Sequence, residues 1–170
     1  MRRSPFFILL LCQACGSGPE PKTGELVAIW RDSLDARFRT SATARWCRRD
    51  SLLELFAVRN DTAVGVAIIP RDSLTGGEYP VFPAIPFNPL RPQATAAARW
   101  MGQTELKGFE GASGNVTLTA SPPGTVSGTL DLLFRRTGSP DSLRLTGRFS
   151  GVPVESALAE CGRANRPGAG

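Results

Sequence analysis

The chain has no histidine, and among its 170 residues it has only two lysines, one tyrosine and two methionines. Without histidine, a serine or cysteine nucleophile lacks its usual general base, and a metal lacks its commonest nitrogen ligand. Any metal site would be built from oxygen alone, and no loop has the EF-hand spacing. The chain also lacks a phosphate-cradling glycine loop and, past residue 15, any CxxC pair or basic tract longer than two residues. Redox, nucleotide and nucleic-acid roles are therefore not implied. Carboxylates at Glu54, Glu78, Glu105, Glu110 and Asp131 stand at spacings that force no two of them together. The residues present point to no enzyme and no cofactor.

Asp-Ser-Leu recurs from Asp32, Asp50, Asp72 and Asp141. The glycine of the Gly-Asp-Ser-Leu hydrolase signature is missing each time. These tripeptides read instead as turns, in which Asp and Ser bond to the local backbone and Leu opens the next strand.

Arg2 and Arg3 precede a short apolar run over residues 6–12, followed at once by small and polar residues. That anatomy describes a secretory signal peptide over residues 1–14, with an apolar run too short to span a bilayer. Cys12-Gln13-Ala14-Cys15 resembles a bacterial lipobox, with Cys12 standing where leucine is usual. The resemblance implies acylation of Cys15 as the first mature residue. Gly16 in the next position implies the outer membrane under the best-known sorting rule. The expected address is the cell envelope, lipid-anchored and periplasmic or at the outer membrane. Residues 15–24 read as a flexible polar tether, residues 25–161 as a single β-domain and residues 162–170 as a disordered tail. Cys47 and Cys161 remain as an even pair in a compartment where disulfides persist. A bond between them would close a loop of over a hundred residues, worth about 4–5 kcal/mol in the chain-entropy model. Loss of Arg2 and Arg3 lowers the formal charge from +5 to +3.

Strand periodicity is clearest over residues 114–154. Val126, Gly128, Leu130, Leu132 and Phe134 alternate with polar neighbours, and so do Leu143, Leu145, Gly147 and Phe149. If Arg136 faces Asp141 across the turn, the inward pairs are Phe134 with Leu143, Leu132 with Leu145, Leu130 with Gly147 and Gly128 with Phe149. Each glycine then faces a larger residue. Upstream, residues 34–46 alternate strictly, with Phe38, Ala42, Ala44 and Trp46 on one face and Arg37, Arg39 and Arg45 on the other. Residues 52–58 and 64–69 are apolar on both faces, and this hairpin is expected to be buried on both sides. Residues 155–160 read as a short helix.

Pro80, Pro83, Pro86, Pro89 and Pro92 exclude a central strand from residues 76–93. Tyr79, Phe82 and Phe87 within that surface loop either seal one end of the core or form an apolar lip. The count is nine to eleven antiparallel strands, in an all-β sandwich or barrel. The outward arginines, Arg37, Arg39, Arg45, Arg144 and Arg148, form a candidate surface for anionic headgroups or an acidic partner protein in the envelope. The functional expectation is a lipid-anchored, non-catalytic module for binding or structural support. The alternative, should the strands close into a barrel, is a lipocalin-like carrier of a small apolar ligand. The first strand of that family carries Gly-x-Trp, where this chain has Ala28-Ile29-Trp30.

Overall fold

A computed structural model describes residues 22–31, 35–70, 73–83, 91–101, 104–119 and 123–157. Nine strands follow one another among the described residues: β1 (Glu25–Arg31), β2 (Asp35–Cys47), β3 (Leu52–Arg59), β4 (Thr62–Ile69), β5 (Gly77–Pro80), β6 (Gln93–Met101), β7 (Leu106–Thr119), β8 (Thr125–Arg136) and β9 (Ser142–Ala157). No helix occurs among the described residues. The ladder runs β7-β6-β4-β3-β2-β1-β9-β8 and closes where β8 pairs with β7. An antiparallel eight-stranded barrel results, with β5 added against β7.

The meander forms in the register that the glycines require. Phe134 faces Leu143, Leu132 faces Leu145, Leu130 faces Gly147 and Gly128 faces Phe149. The Arg136 amide donates to the Asp141 carbonyl at 2.9 Å and closes the turn. A methyl group at Gly147 would lie 2.9 Å from the Ala28 Cβ, so that glycine lets β9 and β1 approach inside the barrel. At Gly128 a methyl group would run into the Thr117 carbonyl oxygen and come within 2.9 Å of the Phe149 ring.

Two gaps in the wall are filled locally. Beyond the start of β1, β2 and β9 come together in parallel, with Ala44, Arg45, Trp46 and Cys47 opposite Val154, Glu155, Ser156 and Ala157. Residues 155–157 are therefore strand, not the start of a helix. The parallel ladder satisfies backbone groups that β1 no longer reaches. Where β6 and β7 diverge, β5 pairs with residues 115–118 of β7, and Val81 bridges to Ala94. The proline-rich stretch thus supplies a short strand, as proline permits at an edge.

The core fills the barrel. Trp30 packs against Trp100, Phe38 and Phe134 at centroid distances of 5.3, 6.1 and 6.3 Å. Leu53, Leu55, Val66, Ile68, Val116, Leu132, Leu145 and Val152 are buried below them. The β3–β4 hairpin differs from expectation. Its outward residues Phe56 and Val58 are 42% and 51% exposed, because a closed barrel has one interior and a strand has only one face toward it. Phe56 lies over Gly65, which faces it across the ladder.

Gly128→Ala should cost about 3 kcal/mol in urea unfolding, the upper part of the usual overpacking range. Gly108→Ala places a methyl group with nothing within 4 Å, and it should change stability by less than about 0.5 kcal/mol.

Candidate functional site

The outward arginines of β2 and β9 lie on one continuous wall, because β1 joins the two strands. Arg37 faces Ile29 and Arg39 faces Val27 on one side of β1, while Thr146 and Arg148 face the same two residues on the other. A shallow groove of about 390 Å³ runs over this wall, with Val27 and Ile29 among its lining and Arg37, Arg148, Asp131 and Thr129 beside them.

The wall is not a field of free charge. Arg39 grips both carboxylate oxygens of Glu25 at 2.8 and 2.9 Å, and Arg144 grips both of Asp131 at 2.9 and 2.7 Å. Arg45 holds Glu54 at 2.6 Å, and Glu54 is buried. Each acid stands directly or diagonally across the ladder from its arginine, within the reach of cross-strand pairs. The balancing acids sit on neighbouring strands, out of sight along any one strand.

The other sequence candidates fall in several places. Tyr79 is only 3% exposed and its hydroxyl donates to the Thr75 carbonyl at 2.8 Å, so it seals the core and is no part of an exposed lip. Phe82 is 47% exposed, and Phe87 lies outside the described residues. Cys47 is fully buried opposite Ala157, while Cys15 and Cys161 lie outside the described residues. Asp50 and Asp141 stand at the turns into β3 and β9, as their tripeptides suggested, and residues 32–34 and Asp72 lie outside the described residues.

One end of the barrel carries a different kind of site. There the β3–β4 turn, the start of β2 and the end of β6 surround a pocket of about 420 Å³. Phe38, Trp100 and Met101 supply apolar surface, and Arg37, Arg59, Asn60, Asp61 and Thr62 supply the polar rim. Asn60 takes the left-handed φ of 53° that tightens the turn, which asparagine tolerates better than most residues. Beneath the pocket lies the Trp30 cluster, whose buried indole Nε1 has no acceptor among the described residues. Neighbouring strands alternate in direction around the barrel, so this mouth lies at the end opposite Lys22, where the chain enters β1. Mouths of barrels are among the common places for small-molecule sites.

No family model, curated protein or solved structure matches this chain. No group of three or more metal-ligating side chains occurs among the described residues.

The sequence reading did not single out Arg59, Trp100 or Met101 as site residues. The signal was present in strand order: Trp30, Phe38, Trp100 and Phe134 all fall within a few residues of the strand ends that meet at this mouth.

The Glu25 carboxyl is held below its ordinary value, first by the hydrogen bonds from Arg39 and then by the backbone amide of Lys22. A lowered folded-state value means that the pair stabilises fully above the unfolded carboxyl value of about 4.3 and loses this contribution as pH falls through the lower folded value. Glu25→Gln should therefore lower the urea midpoint at neutral pH, and the gap to the parent should narrow below about pH 4.

Proposed function

We propose that this chain is a lipid-anchored, non-catalytic binding module of the bacterial envelope, and that its ligand enters the barrel mouth remote from the anchor. The observation that carries the reading is the pocket over Phe38, Trp100 and Met101, set in a closed barrel. An eight-stranded barrel is just wide enough for side chains to fill it or for one small ligand, and in this one side chains fill the space below the mouth. The lipocalin-like alternative therefore meets the binding-module reading at the same place. The aromatic cluster under the mouth keeps the ligand near the rim and out of the lower barrel.

The anchor rests on the leader, with Cys15 as the acylated residue. The described chain begins at the far end of the barrel, so an anchor there leaves the mouth facing away from the bilayer. The parallel β2–β9 ladder brings Ala157 beside buried Cys47, four positions before Cys161. That delivery supports a Cys47–Cys161 disulfide formed in an oxidising compartment. The arginine wall is a secondary partner surface. Its salt bridges leave Arg37 as the guanidinium with no partner among the described residues.

Intact mass of the mature protein tests the address. The expected mass begins at Cys15, carries acyl chains, and is two hydrogens short of the dithiol; a free amino group at residue 15 or elsewhere overturns the anchor. Binding is tested with the uncharged dye N-phenyl-1-naphthylamine and the mature chain carrying Cys15→Ser, so that no acyl chain competes. The dye should quench tryptophan emission. Trp100→Leu and Met101→Gln should each weaken it about tenfold, or about 1.4 kcal/mol. Dye binding untouched by both substitutions would remove the mouth as the site.

A further inference from the structure

Arg37 and Arg59 both line the mouth, and neither makes a hydrogen bond or ion pair to another side chain among the described residues. Four other arginines of the barrel behave differently. Arg39, Arg45, Arg136 and Arg144 are each held by a carboxylate at 2.6 to 2.9 Å. An acid in cross-strand reach has been taken in each of those cases, whereas Arg37 faces Ile29 and Arg59 faces Thr62. Asp61 shares the rim with them and forms no ion pair within 4.0 Å among the described residues. The lining therefore has two arginines against one acid, above an apolar floor.

Resting on the reading of the mouth as the ligand site, we propose that this pocket selects a freely diffusing amphiphilic anion. Such a molecule has a compact apolar or aromatic body and one carboxylate, sulfonate or phosphate group. Its body lies on Phe38, Trp100 and Met101, and its acid group is held by Arg37 and Arg59. A guanidinium presents paired donors that match the oxygens of such groups, and charge-assisted bonds of this kind are about twice as strong as neutral ones. Aromatic floor and cationic rim act on different parts of one ligand, so each restrains it where the other does not. Asn60 and Thr62 add neutral hydrogen-bonding groups to the rim. A pocket of about 420 Å³ lies within the ordinary range for small-ligand sites.

A matched pair of probes separates the charge from the body. 1-Anilinonaphthalene-8-sulfonate has the ring skeleton of N-phenyl-1-naphthylamine plus one sulfonate. The mature chain carrying Cys15→Ser should bind the sulfonate about tenfold more tightly than the neutral dye, a difference of about 1.4 kcal/mol. Arg37→Ser and Arg59→Ser should each remove most of that advantage and leave the neutral dye unchanged. Arg99→Ser, the same loss of charge at an exposed position that does not line the pocket, should change neither. Raising the salt concentration should weaken the sulfonate alone. If the neutral dye binds and the sulfonate has no advantage sensitive to Arg37 or Arg59, anion selection is wrong and the mouth reading stands. Loss of the neutral dye in the arginine variants would also overturn selection, since those side chains would then shape the pocket. Failure of both probes to bind the parent removes the mouth reading and this inference with it.

Discussion

Closure of the ladder is the constraint on which the other features depend. Each of the eight barrel strands has a neighbour on both sides, so main-chain donors and acceptors are used up within the wall. Closing a wall of only eight strands leaves little room inside, and the inner faces must mix large and small residues. Gly128 under Phe149 and Gly147 beside Ala28 are two of the places where the strands come close. The same closure creates two places where strands part, at the start of β1 and between β6 and β7. One is stitched by the parallel run of β2 and β9 and the other by β5. Irregular pieces of the chain therefore serve the same requirement as the regular ones.

The interior is sorted along the barrel. Trp30, Phe38, Trp100 and Phe134 gather toward the mouth, while Ala94, Ala96, Val116, Val126 and Val152 lie toward the end where the chain enters β1. Aromatic residues at an opening bring area and edge-to-face contacts without long flexible stems. Among the described residues the buried Trp30 indole N–H finds no acceptor.

The parts of this fold that could be read in advance are those set by local alternation. The β8–β9 register followed from glycines facing Phe149 and Leu130, since a slip by one residue would have turned every apolar side chain outward. The alternation from Phe38 to Trp46 likewise marked β2. Long-range consequences were not legible. The outward row of β3 looked as apolar as its inward row, and only closure decides that Phe56 and Val58 face out. Glu155 and Ser156 have no strand signature of their own, and become strand because β2 runs beside them. The acids that neutralise Arg39, Arg45 and Arg144 are distant in sequence and near only through the ladder. For the candidate site, the arginine row on β2 was legible and the mouth was not, because a pocket made by one turn and two strand ends has no contiguous motif.

Recognition by this barrel is narrowed by what its wall has already used. A closed ladder offers no free edge among its eight strands, so addition of a partner strand, which draws its affinity from main-chain bonds, is not available there. The outer arginines that lie within reach of acids are bound to them, and exposed pairs of that kind contribute little beyond holding the strands in register. What remains is the outer edge of β5, the groove over the β1 wall and side-chain chemistry at the ends of the barrel. At the end where the chain enters β1, Gly24 donates to Ser150 and accepts from Ala42, and β2 and β9 pair directly beyond it. At the other end two arginines without side-chain partners stand over exposed parts of an aromatic cluster. Under the proposed reading these arginines and the aromatic cluster beneath them hold the ligand, and an anchor at the opposite end would turn them toward the surrounding solution.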